Sequence, residues 1–119
     1  MAQDRPTASE LLAAIADLLR EEVTPVLDKV EPRLSFQMRV AANSLAILER
    51  EARLGPTADA REHERLVTLL GHDGSLDDLN RELARQLRAG KRDERDVALM
   101  VHLEATIADK IAIANPKWR

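Results

Sequence analysis

The residues able to do chemistry in this chain are few, and their spacing limits what they can do. There are three histidines, His63, His72 and His102, and no cysteine. No two histidines lie a helical turn apart and no HExxH run occurs, so no metal site is expected and each histidine is placed at a helix edge or in a loop. Without cysteine there is no disulfide framework, no thiolate nucleophile and no sulfur-ligated metal. Gly71-His72-Asp73-Gly74-Ser75 looks like a phosphate-binding turn. It lacks the preceding strand and the lysine that such a loop needs, and a tight turn followed by a helix cap at Ser75 accounts for it. No Ser–His–Asp set and no carboxylate pair beside a definable cleft can be drawn from the spacing. The chain is therefore expected to be no enzyme, with no catalytic residue and no cofactor.

Binding candidates concentrate in the segment 34–54. Arg39 and Asn43 are one helical turn apart and can share a partner, and Arg50 follows Asn43 at seven residues. Two readings are open: these side chains line a polar pocket or docking surface for an anionic group, or they are tied up structurally and set helix register. Glu104 falls inside a wide apolar arc of the last helix, where an unpaired charge is costly. An interhelical cluster of Arg39, Asn43 and Glu104 is expected on that ground. Arg81, Arg85, Arg88 and Arg92 form a basic stripe that reads as a solvated helix face or, alternatively, a dock for an acidic partner.

The elements that must position these residues are helices. Leu and Ala supply most of the apolar side chains and strand-favouring residues are sparse, so the class is all-α. Thr7 with Glu10 forms a capping box before a first helix carrying Leu11, Leu12, Ile15, Leu18, Leu19 and Val23, which kinks or stops at Pro25. A second helix spans about 34–54 and ends at Gly55-Pro56. A third, capped by Thr57, runs from about 58 to 70. A fourth, capped by Ser75, carries Leu76, Leu79, Leu83 and Leu87 and ends at Gly90. A fifth opens around Asp93–Asp96, presents Met100, Leu103, Ile107, Ile111 and Ala114, and stops before Pro116. Loops this short predict a single-domain bundle of about five helices over residues 1–119. The second helix should be central and most buried, with Leu45 and Leu48 least exposed. Phe36, Met38 or Trp118 could remain exposed as a homo-oligomer contact.

Composition narrows the partners. Charged residues make up 33% and the net charge is −3, with one Phe, one Trp and no Tyr. This excludes nucleic-acid binding driven by a basic footprint or by base stacking. No apolar run has membrane-spanning length and the first residues lack a signal-peptide stretch, so a cytoplasmic location is expected.

Three segments carry a family resemblance: Asp4-Arg5-Pro6-Thr7-Ala8-Ser9-Glu10-Leu11-Leu12, Arg39-Val40-Ala41-Ala42-Asn43 and Lys110-Ile111-Ala112-Ile113-Ala114-Asn115-Pro116-Lys117. With these the chain resembles a family of small all-helical bacterial proteins of unknown function, encoded beside or fused to aminoglycoside-phosphotransferase-like kinases and acyl-CoA dehydrogenases. The resemblance implies a non-catalytic accessory or interaction domain working with such a kinase. It carries over no catalytic residue, because the kinase's catalytic Asp loop and phosphate-clamping Lys have no counterpart here. The alternatives are a module binding an acyl or phosphorylated metabolite in an apolar pocket with Arg39 or Asn43 at its mouth, and an enzyme of unidentified class.

Overall fold

A computed structural model describes residues 4–117. The elements are α1 (Ala8–Leu18), a π-helical turn (Leu19–Val23), α2 (Thr24–Val30), α3 (Pro32–Leu70), α4 (Leu76–Arg88) and α5 (Val97–Ala114). No strand occurs among the described residues. α1, the π turn and α2 run on without a break and count as one, and α3 joins the expected second and third helices, so the described residues form four helices rather than the five expected.

The difference in count lies at Pro56, and Pro25 is accommodated in its own way. Pro25 has no N–H to donate and its ring crowds the preceding turn. The chain answers by widening: the Thr24 N–H bonds the Leu19 carbonyl five residues back, and the Thr24 hydroxyl donates to the same oxygen at 2.6 Å. Of the two outcomes expected at Pro25, a kink or a stop, the stop does not occur: the helix continues through the π turn. Pro56 lies inside α3, which runs 39 residues through Gly55-Pro56. The expected stop there, and the Thr57 cap of a separate helix, are therefore corrected. Ala52 and Pro56 are both exposed, so water can take the carbonyl that Pro56 leaves without a donor.

Other boundaries follow their local chemistry. The Thr7–Glu10 capping box is present with both bonds, and the Ser75 hydroxyl accepts from the Asp78 N–H. Gly71 and Gly90 follow α3 and α4 at φ 84° and 72°, a left-handed conformation that glycine adopts without a Cβ penalty. The Asp96 carboxylate accepts from the Leu99 N–H at 3.0 Å and caps α5. Glu31, the single residue between α2 and α3, is extended at φ −146° and ψ 82°, as the residue before a proline must be.

The described residues form two compact units: residues 4–54 with Ile113–Asn115, and Gly55–Ala112 with 116 and 117. In the first, α1 and α2 lie antiparallel to α3. Ser9 bonds Glu49, Arg20 bonds Asn43, and Ser35 bonds both Asp28 and the Thr24 carbonyl. The fully buried residues of this hairpin are small: Ala16, Thr24, Ser35 and Ala42. Leu45 is only half-buried and Leu48 is 49% exposed, so the expectation of a central second helix is corrected. In the second unit, Leu66 of α3, Leu79 and Leu83 of α4 and Leu99 of α5 form the core, with Val67, Leu69, Leu70, Leu76 and Leu103 packed on it. The buried face of α5 runs through Leu99 and His102, whereas Met100 and Ile107 of the expected stripe are exposed.

Candidate functional site

Arg39 and Asn43 line a polar cleft of about 330 Å³ in the hairpin, with Arg20, Thr24, Pro25 and Asp28. The cleft sits at the π turn, whose extra residue re-aims the side chains that follow it. Arg20 donates to the Asn43 amide oxygen at 3.1 Å. Arg39 Nη2 lies 2.7 Å from both carboxylate oxygens of Asp28, and the Ser35 hydroxyl donates to the same carboxylate. The Ser35 hydrogen bond first, then Arg39, hold the Asp28 carboxyl below the usual carboxylate range. Asp28 meets the charge of Arg39, so the cleft's spare cation is Arg20.

Of the four residues singled out from the sequence, Arg39, Asn43 and Arg50 belong to the first unit and Glu104 to the second. Arg39 is paired with Asp28, and Glu104 is exposed in its own unit. Asp28 escaped notice because its role follows from hairpin register, not from its place in α2. Arg50 Nε donates to the Ile113 carbonyl at 2.7 Å, satisfying a C-terminal carbonyl of α5 that has no intrahelical donor. Phe36 is 65% exposed, Met38 is half-buried, and Trp118 lies outside the described residues.

The histidines divide. His63 bonds Asp73 and the Gly74 carbonyl, and His72 bonds Glu82 at 2.7 Å; together they staple the 71–75 turn. The Asp73 carbonyl foremost, and then Glu82, raise the His72 pKa above its ordinary value. His102 is the correction, being 3% exposed inside the second unit rather than at an edge. Arg65 Nε donates to its Nδ1 at 3.1 Å, and Arg65 Nη2 donates to the Thr106 hydroxyl at 3.1 Å. Arg can only donate, so Nδ1 accepts and the neutral ring carries its proton on Nε2. Burial foremost, and the Arg65 charge, lower the His102 pKa. No group of three or more His, Asp or Glu placed to hold a metal ion occurs among the described residues.

His102 and Arg65 line an open cleft of about 670 Å³ with Leu69, Arg92, Ala98 and Val101. Arg92 does not belong to the solvated arginine stripe. It donates to the Leu69 carbonyl at 2.7 Å and pairs with Asp96 at 2.9 Å, tying the end of α3 to the start of α5. Periodicity could have pointed to His102, which lies three residues from Leu99 on the buried face.

The hairpin also carries an apolar side. Leu11, Ile15 and Leu18 recur at helical spacing on α1, and Val26 and Val30 continue the stripe on α2. Leu34, Ala41 and Leu48, seven apart on α3, fall on the same side of the antiparallel pair. The six Leu, Ile and Val side chains other than Leu34 are 44–76% exposed, and Leu34 is 39% exposed. The polar cleft opens on the opposite side. Glu22 on the first helix and Gln37, Ser44 and Glu51, seven apart on α3, are polar positions beside these side chains.

These features define an all-helical protein that carries a polar cleft, an open cleft beside His102 and an exposed apolar face on its hairpin. The chain belongs to the family described as a domain of unknown function (DUF6285), whose model matches residues 28–118. No curated protein and no solved structure matches the chain. No helix among the described residues is long and apolar enough to cross a membrane.

Proposed function

We propose that this protein is a non-catalytic accessory domain of the cytoplasm that docks another protein through the apolar face of its hairpin. The observation that carries the reading is the mismatch between what the hairpin buries and what it leaves out. Its seam is closed by Ala16, Thr24, Ser35 and Ala42, while Leu11, Ile15, Leu18, Val26, Val30, Leu34 and Leu48 stay exposed. At these exposures the seven side chains present an apolar patch on the order of 600 Å². That lies at the top of the range for a monomer and near one partner's share of a standard interface, about 800 Å². The face is mainly apolar, with the acids Glu22 and Glu51 beside it, which favours an apolar, helical counterpart. Resemblance to proteins encoded beside aminoglycoside-phosphotransferase-like kinases makes such a kinase the first candidate partner and an acyl-CoA dehydrogenase the second.

The rival reading places an acyl or phosphorylated metabolite in an apolar pocket with Arg39 or Asn43 at its mouth. It draws less support, because the cleft at those residues is polar and Asp28 already meets the charge of Arg39. The test is co-purification of the full chain with an aminoglycoside-phosphotransferase-like kinase, followed by Leu18→Asp and Val26→Asp. Both positions are exposed, so the fold should survive. Binding at micromolar concentration that either variant abolishes is the expected result. No binding, or binding that both variants leave intact, overturns the reading.

A further inference from the structure

The second unit holds an arginine whose setting calls for a ligand. Arg65 is half-buried, and its hydrogen bonds go to neutral acceptors, His102 Nδ1 and the Thr106 hydroxyl. No carboxylate lies within ion-pair distance of it among the described residues. A guanidinium drawn partly out of water is ordinarily paired with an acid, and this one is braced by two side chains instead. The bracing uses Nε–H and one Nη2–H, leaving three of its five N–H donors.

The surrounding cleft narrows the chemistry. Its volume of about 670 Å³ lies within the range of small-molecule sites. Leu69, Ala98 and Val101 give it apolar walls, and Val101 is 57% exposed at its edge. The other charges that line it do not add a second free cation. Arg92 is satisfied by Asp96 and the Leu69 carbonyl, Asp96 also caps Leu99, and Glu64 is an exposed acid. One unpaired guanidinium near an exposed acid suits a single negative charge and disfavours a dianion such as phosphate. A planar fork of N–H groups matches a carboxylate.

We propose that this cleft binds a monoanionic carboxylate carried on an apolar chain or ring, with Arg65 holding the carboxylate and Leu69, Ala98 and Val101 contacting the apolar body. The site lies in the unit that does not carry the docking face, and it stands whether or not that face has a partner. Titrating the full-length protein with octanoate, 1-octanol and inorganic phosphate, by calorimetry and by amide chemical shifts, tests it. Octanoate should bind at sub-millimolar concentration and shift the amides around Val101 and His102. Octanol, with the same body and no charge, should bind at least about tenfold more weakly, and phosphate should not compete. Arg65→Met, which keeps the apolar stem, should weaken octanoate about tenfold or more. Val101→Asp alters an exposed wall position and should do the same with an unchanged circular-dichroism spectrum, so the test does not depend on how Arg65→Met folds. Equal affinity for octanol and octanoate, competition by phosphate, no octanoate binding at millimolar concentration, or undiminished binding by Val101→Asp would each overturn the proposal.

Discussion

Replacing Pro56 by Ala separates the observed α3 from the two helices that the Gly-Pro pair announces. Pro56 sits 24 residues into a helix of 39. In a helix interior, Pro is about 3 kcal/mol less favourable than Ala, partly through the missing hydrogen bond and partly through ring–carbonyl crowding. The first part is softened here, since Ala52 and Pro56 are exposed and water can satisfy the orphaned carbonyl. The substitution also frees the unfolded chain, which costs up to about 1 kcal/mol. The balance is a stabilisation of about 2 kcal/mol in Pro56→Ala, read as a higher urea midpoint. The amide N–H that the substitution introduces should exchange slowly, because it donates to the Ala52 carbonyl. If Pro56 instead occupied a loop, the variant would be neutral or weaker than the parent. A midpoint that falls or does not move, together with a freely exchanging new amide, refutes a continuous α3.

Stability measurements on further variants check other parts of the structure. Leu79→Ala should cost about 2–5 kcal/mol in denaturant unfolding, since Leu79 is 1% exposed in the four-leucine core; Leu45→Ala, at a half-buried position, should cost visibly less. Glu104→Ala should change stability by no more than about 0.5 kcal/mol, because Glu104 is exposed and unpaired among the described residues; a loss near 3 kcal/mol would restore the buried cluster. His102 has a folded pKa below its ordinary 6.5, so as pH falls through 6.5 the unfolded chain takes up a proton that the folded chain refuses. Stability should then drop between pH 7 and 5, and His102→Gln should flatten that slope. His72 works in the opposite sense: its raised pKa contributes stability that is full below 6.5 and lost as pH rises through the folded value. His72→Gln should therefore steepen the drop toward acid pH, and an unchanged profile in both variants refutes the assignments.

Some of the molecule is legible along the chain because its causes are local. The all-α class follows from Leu and Ala content and from 3.6-residue periodicity. The caps at Thr7 and Ser75 and the glycine stops at Gly71 and Gly90 depend on atoms within four residues of each other. The leucines of α4 show the same local logic, with Leu79 and Leu83 buried as their stripe requires. Local rules misjudged the stop at Pro56. A π turn absorbs Pro25, and Pro56 is carried within α3, whose flanking stretch Gly55–Leu70 helps build a leucine core. Such packing can outweigh a few kcal/mol of local penalty.

The candidate sites were less legible, because each depends on which helix lies opposite. Asp28 meets Arg39 only once α2 folds back along α3 in one register, and nothing in the spacing of 28 and 39 announces it. Arg65, His102 and Thr106 are 37 to 41 residues apart across the pairs that bond, so periodicity could place His102 on a buried face but could not supply its arginine. Apolar stripes on α1 and α3 are visible in the sequence. Which stripe closes the hairpin and which stays open is decided by packing: small residues let two helices approach closely, so Ala16, Ser35 and Ala42 take the seam and the larger side chains are left outside.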